Sequence, residues 1–144
     1  MAAIIDWYSK AVLSCDISNT MNSSLIMQVL NEALYKYVVP EIFNTDQGSQ
    51  YTSHEWQAFL KEHGLKGSMS RRGNCHDNAV AESFFQLLKR ERIRRHIYST
   101  REAARSDVFN YIEMFYNTRR RHGFNNQLSP VEYEAQYQER LVSV

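Results

Sequence analysis

Hydrophobic positions along the chain change period several times, and each change marks an element. Residues 3–9, Ala-Ile-Ile-Asp-Trp-Tyr-Ser, and 11–17, Ala-Val-Leu-Ser-Cys-Asp-Ile, read as two strands joined by a tight antiparallel turn at Ser9-Lys10. Behind Asn22-Ser23-Ser24, whose side chains suit an N-cap, Leu25, Ile26, Val29, Leu30, Ala33 and Leu34 fall at helical spacing and predict a helix to about Tyr35. Pro40 ends that connection, and residues 41–45, Glu-Ile-Phe-Asn-Thr, read as a short buried strand. Ser53 can cap a helix to His63, with Trp56, Phe59 and Leu60 inward and Gly64 as its stop. Residues 65–69 form another short strand, and 70–77, with Gly73 and Asn74, read as a mobile loop.

The second half is helical. Asp77 or Asn78 can cap a helix running to about Arg95, with Val80, Phe84 and Leu87 on the core face and Glu82, Gln86 and Lys89 opposite. Thr100 can cap the next helix, whose stripe is Ala104, Val108, Tyr111, Ile112 and Phe115 and which Arg119-Arg120-Arg121 closes. Ser129-Pro130-Val131-Glu132 is a capping box with proline at the first helical position. No repeat, low-complexity segment or linker interrupts the 144 residues, so they make one domain. Residues 1 to about 98 carry the strands and the Glu82 helix, and about 99–144 the C-terminal helices.

Composition narrows the class. Hydrophobic residues at 43% suit a globular chain with a real core. No window approaches the roughly 18 unbroken apolar residues of a membrane span. The start lacks the basic region and apolar run of a signal peptide, so the expected location is the cytoplasm. Cys15 and Cys75 are too few for a disulfide framework and fit a reducing compartment. The net charge of +1 argues for no partner, but its distribution does. Residues 1–65 hold 3 basic and 7 acidic groups, whereas 66–122 hold 13 and 6. A basic segment around a candidate carboxylate suits a phosphate backbone.

The candidate chemistry lies between Asp46 and Glu82, which thirty-five residues separate. Asp46 follows a strand, at the end where open α/β sheets place ligands, and Glu82 sits one turn into a helix. Two such carboxylates suit Mg²⁺, a hard cation that takes carboxylate, water and phosphate oxygens. Two ions about 3.5–4 Å apart clamp the attacking and leaving oxygens of an in-line phosphoryl transfer. His54, His63, Cys75 and His76 fit neither zinc spacing, and no G-x-x-x-x-G-K-S loop is present.

Specificity comes from the flanks: Asp46-Gln47-Gly48-Ser49-Gln50-Tyr51-Thr52-Ser53, then Arg71-Arg72-Gly73-Asn74-Cys75 through Asp77-Asn78-Ala79 to Glu82-Ser83-Phe84-Phe85, then Lys89. Phe115-Tyr116-Asn117-Thr118-Arg119-Arg120-Arg121-His122 and Ser129-Pro130-Val131-Glu132-Tyr133 complete the set. Over nearly its whole length the chain resembles the DDE-type integrase core of insertion-sequence transposases, relatives of retroviral integrases.

That resemblance implies an α/β, ribonuclease H-like mixed sheet flanked by helices. It implies a transposase core that cuts and joins DNA by metal-dependent phosphoryl transfer, with Mg²⁺ or Mn²⁺ as cofactor. Transposon ends, target DNA and further transposase subunits are the implied partners. Asp46 and Glu82 match the second and third family carboxylates, and Lys89 matches a basic residue that contacts the transposon end. Arg71, Arg72, Gln86, Arg119, Arg120 and Arg121 join Lys89 as expected DNA contacts. Asp6-Trp7-Tyr8-Ser9-Lys10 matches the family's second strand, so the first strand and its catalytic Asp are expected to be missing. Asp6 is not its substitute, and Asp16 matches no catalytic position. Two functions follow as alternatives: a trimmed catalytic core, or a non-catalytic truncated remnant that binds DNA or partner subunits. In the family's sheet the first strand lies between the hairpin and strand 41–45. Of direct closure, an edge donated by a second copy, and partial folding, direct pairing of 3–9 with 41–45 is the expected outcome.

Overall fold

A computed structural model describes residues 1–72 and 74–143; Gly73, the side chain of Cys75 and Val144 lie outside the described residues. The architecture is mixed α/β. Strands β1 (Ala2–Ile5) and β2 (Val12–Asp16) pair with each other, and β3 (Ile42–Thr45) pairs with β4 (Lys66–Met69). Helices α1 (Ser23–Lys36) and α2 (His54–Glu62) frame β3, and α3 (Ala79–Glu91), α4 (Arg101–Tyr111) and α5 (Pro130–Val142) follow β4. The chain divides into two compact units, Met1–Ile4 with Leu13–Ser83 and Ile5–Val12 with Phe84–Val144. The strands and the Glu82 helix lie within residues 1–98 and α4 and α5 within 99–144, while the two units divide inside α3.

The expected pairing of 3–9 with 41–45 does not occur: the two strand pairs are separate sheets. The free edge of β3 is not the buried edge that closure was meant to relieve. Ile42 is 60% exposed, and only Thr45 at the strand's end is buried. Water can serve backbone groups there, so the penalty that attaches to buried unpaired groups does not drive closure. The reading of 41–45 as a buried strand fails for the same residues.

Unit 1 is built around Leu25, Ile26, Val29, Leu30, Trp56, Leu60 and Leu65. The helical spacing of α1 delivers its share, with Asn22 accepting from the Leu25 N–H as cap. Trp56, 1% exposed, is the centre, with the rings of Phe43, Tyr51 and Phe59 within 5.3–6.1 Å. Ser53 caps α2 through the Trp56 N–H, and Gly64, at φ +67°, turns the chain out of it.

Unit 2 uses polar groups in its interior. The hairpin turn is longer than Ser9-Lys10: it closes between Asp6 and Ala11, with Lys10 at φ +68° and the buried Ser9 hydroxyl donating to Asp6 Oδ2. The Asn117 amide donates to the Val12 carbonyl and accepts from its N–H, both at 2.9 Å, as a neighbouring strand would. Asn125, fully buried, donates to the Ser9 carbonyl.

Three helix readings change. Helix α3 stops at Glu91, because Arg92 leaves helical dihedrals while its guanidinium binds Asp107. Its most buried residues are Phe84 and Leu88 rather than Leu87. After α4 the backbone widens into a π-helical turn, Ile112–Tyr116, whose extra residue shifts the face. Tyr116 therefore takes the buried position and Phe115 is 41% exposed. The capping box at Ser129 and Glu132 forms as read.

Candidate active site

Parallel pairing sets the site in unit 1. Thr45 lies opposite Met69, and the Ser70 N–H donates to the Thr45 carbonyl at 2.7 Å. Asp46 and Ser70 thus leave the C-terminal ends of two neighbouring strands together. This is where strands of an open parallel sheet release their loops, and where ligands bind.

Asp46 is exposed, and its Oδ1 accepts from the Gly48 N–H at 2.8 Å. A Cβ on Gly48 would come within 2.9 Å of that same oxygen and 2.6 Å of the Gln50 amide, so glycine leaves room for the turn. Next, Ser49–Thr52 makes a 3₁₀ turn, and the Gln50 carbonyl accepts from the Ser53 hydroxyl. Tyr51 packs edge-on to Trp56; burial pushes its phenol pKa up, and the Asp46 charge adds to that. The Asp46–Ser53 motif is therefore one device: it presents a carboxylate, turns the chain, anchors on Trp56 and starts α2.

Across the sheet end, Asn44 ties the second loop down. Its Nδ2 donates to Ser70 Oγ at 3.0 Å and to the Asp77 carbonyl at 3.2 Å, and the Ser70 hydroxyl donates to that same carbonyl at 3.1 Å. Asp77 does not use its carboxylate to cap α3. Oδ2 accepts from the Arg71 N–H at 2.9 Å and from Arg71 Nε at 3.0 Å. Those bonds, side chain first and backbone second, hold the Asp77 carboxyl below its usual range. Its described parts show the segment read as a mobile loop to be pinned at both ends, with Gly73 outside the description. After the 3₁₀ turn Cys75–Asn78, α3 begins and places the exposed Glu82 in its first turn, where the helix dipole favours a carboxylate.

Asp46, Glu82, Arg71 and Arg72 line one open cleft of about 450 Å³. Gln47, Gly48, Ser70, Asn74 and Asn78 complete its wall. From sequence, Asn78 was a candidate helix cap and none of these five a cleft residue, and Asn44 behind them was missed. The available signal was an amide directly after Ile42 and Phe43, two residues before Asp46. Gln86 and Lys89 are exposed one and two turns further along α3. Arg119 and Arg121 are exposed, but Arg120 is engaged: its Nη2 lies 2.7 Å from Glu91 Oε1, and Tyr111 donates to the same carboxylate.

The cleft offers two carboxylates, and among the described residues no three or more His, Cys, Asp or Glu side chains gather as a metal cluster. Two hard oxygen donors at an exposed cleft fit a Mg²⁺-type cation, which keeps several waters and accepts phosphate oxygens.

Comparison with known proteins bears on the whole chain. A family model described as Integrase core domain matches residues 1–75, and a second of the same description matches 82–137. The transposase InsF for insertion sequence IS3A of Escherichia coli strain K12 is 45% identical over 136 residues, covering 93% of this chain and 47% of that protein. The transposase for insertion sequence element IS904 of Lactococcus lactis subsp. lactis strain IL1403 is 40% identical over 136 residues, 93% of this chain and 54% of that one. The chain thus spans about half the length of these curated relatives. Among solved structures, the HTLV-2 integrase catalytic core domain in complex with magnesium, in a trimeric form, superposes with TM-score 0.66 at 17% identity, covering 90% of this chain and 80% of that one. The simian T-cell lymphotropic virus intasome in complex with PP2A regulatory subunit B56 gamma gives TM-score 0.67 at 18% identity, covering 90% and 45%.

Proposed function

The chain belongs to the integrase core family, as a DDE insertion-sequence transposase core with a ribonuclease H-like fold, and from that premise we propose that it serves DNA transposition by metal-dependent phosphoryl transfer. Asp46 and Glu82 are the ligands it brings to a Mg²⁺ or Mn²⁺ ion. The observation that carries this is their meeting in one cleft with Arg71 and Arg72. A bound divalent cation there would stabilise charge on a phosphate and activate the attacking oxygen. Asp46 is preset for this by the Gly48 N–H, and Glu82 by its place in the first turn of α3. Arg72 is free to meet a phosphate, whereas Arg71 must first exchange Asp77 for it. Lys89, Gln86, Arg119 and Arg121 extend the DNA contacts, with Arg120 serving chiefly to hold Glu91.

No membrane enters this reading: among the described residues no helix is long and apolar enough to cross one. Further transposase subunits are partners by family, and the cytoplasm the place of action.

A second reading rests on the donor count. Among the described residues the cleft supplies two carboxylates where the family resemblance implies three, and on this reading the chain binds DNA or partner subunits without joining strands. Two assays on the purified chain separate these ideas. Affinity for unrelated duplexes should fall steeply with salt, and removing Lys89 or Arg72 should lower the log–log slope by about one each. Flat salt dependence, or strong preference for one sequence, would contradict the DNA interface. Strand transfer on family-type ends with Mg²⁺ or Mn²⁺ should be undetectable; robust, Glu82-dependent joining would falsify the second reading.

A further inference from the structure

We propose that Asn44 is the positioning residue of this site: its amide locks the loop before α3 to the strand that carries Asp46, and so sets the two carboxylates for one cation. The inference rests on the proposed role of Asp46 and Glu82 as ligands.

Asn44 sits two residues before Asp46 on β3, half-buried at the strand's end. An amide nitrogen has two protons, and here each has a partner: Ser70 Oγ at 3.0 Å and the Asp77 carbonyl at 3.2 Å. The Ser70 hydroxyl, only 5% exposed as a residue, closes the triangle on that carbonyl at 3.1 Å. Asp77 lies two residues before the first residue of α3 and five before Glu82. Helix geometry makes those five residues nearly rigid, so fixing the Asp77 carbonyl fixes where Glu82 begins. Among the described residues the other end of β3 has no comparable side-chain tie: Ile42 is exposed and its strand pairs only with β4. A strand left open on one side needs a side-chain brace where its carboxylate emerges, and Asn44 supplies it. The outward Asp77–Arg71 pair is a separate bond, made by the Asp77 carboxylate rather than its carbonyl. It can open toward a phosphate without loosening the brace.

Residues that orient metal ligands without touching the metal typically change affinity by about 10–100-fold when removed. The test is Mn²⁺ affinity of the purified chain, read by electron paramagnetic resonance, with amide exchange of residues 70–72 and 74–78 alongside. Asn44→Ala should weaken Mn²⁺ by about tenfold or more and speed exchange in those residues. Ser70→Ala, which leaves the Asn44 bond to the Asp77 carbonyl, should do so less. Val29→Ala, fully buried in the same unit but outside the brace, should lower the melting temperature and leave Mn²⁺ affinity unchanged. Asn44→Ala with wild-type affinity, or Val29→Ala with an equal loss, overturns the assignment. If Asn44→Ala does not fold, Ser70→Ala decides on the same readout. Asp46→Asn separates this outcome from failure of the metal reading: if it too leaves Mn²⁺ binding unchanged, the ligand assignment fails and not the brace alone.

Discussion

The two units solve the same problem with different materials. Unit 1 is held mainly by apolar surface: α1 and α2 close on Trp56, and the Asn44, Ser70 and Asp77 bonds lie at the end of the β3–β4 pair. Unit 2 spends its polar side chains inside itself. Glu91 takes Arg120 and Tyr111, Asp107 takes Arg92 and Tyr98, and Asn117 stands in for a strand. The contrast explains which charged residues are available for chemistry. Asp46, Glu82 and Arg72 stay exposed at the cleft, Asp46 bonded only to its own turn, because an apolar core does most of their unit's structural work. Arg92 and Arg120 lie in the more basic half of the chain and yet are largely consumed by it. A count of basic residues therefore overstates the surface left for DNA.

The contrast can be broken most severely at Trp56. Trp56→Ala should cost about 3–5 kcal/mol, by loss of burial plus the cavity left behind. Urea denaturation measures it, and amide exchange in α1 and α2 should rise with it. A loss below about 1 kcal/mol would mean that the apolar cluster is not what holds unit 1. In unit 2 the matching change is Asn117→Ala, which orphans a buried N–H and a buried carbonyl of Val12. Each orphaned group costs about 1–3 kcal/mol, so a total near 2–3 kcal/mol is expected by the same denaturation assay, with partial relief from water.

Acid sharpens the comparison further. Hydrogen bonds from Arg120 hold the Glu91 carboxyl below its ordinary 4.5, and those from Arg92 hold Asp107 below 3.8. A carboxylate depressed in the folded state contributes stability that is fully present above its unfolded value and is lost as pH falls through the folded one. Unit 2 should therefore lose stability as pH drops below about 4.5, and the Arg120→Gln chain should lose less over that range while being weaker at neutral pH. An unchanged acid limb in Arg120→Gln and Arg92→Gln alike would contradict the networks. The smallest effect belongs to Gly48→Ala. Its new methyl would press on Asp46 Oδ1, so Mn²⁺ affinity should fall a few-fold with the melting temperature nearly unchanged.

Local rules made much of this legible in advance. The caps at Asn22, Ser53, Thr100 and Ser129 all form, because capping depends on a side chain and a backbone only two or three residues apart. Asp46 at a strand end and Glu82 one turn into a helix were readable for the same reason. What could not be read depends on partners far along the chain. Strand pairing was misjudged because exposure of Ile42, not sequence, decides whether an edge needs a neighbour. The early end of α3 follows from Asp107, fifteen residues away from Arg92. The π turn that exchanges Phe115 for Tyr116 leaves no mark in a 3.6-residue pattern. The brace at Asn44 joins residues 26 and 33 positions apart.

On the proposed function, Asp46 and Glu82 hold one divalent cation between them. A double-mutant cycle on Mn²⁺ binding tests it most directly, with Asp46→Asn, Glu82→Gln and the pair. Two ligands of one ion do not act independently. Either single change should abolish most of the binding, and the double change should add little. Additive losses, or binding that survives either change intact, would place the cation elsewhere.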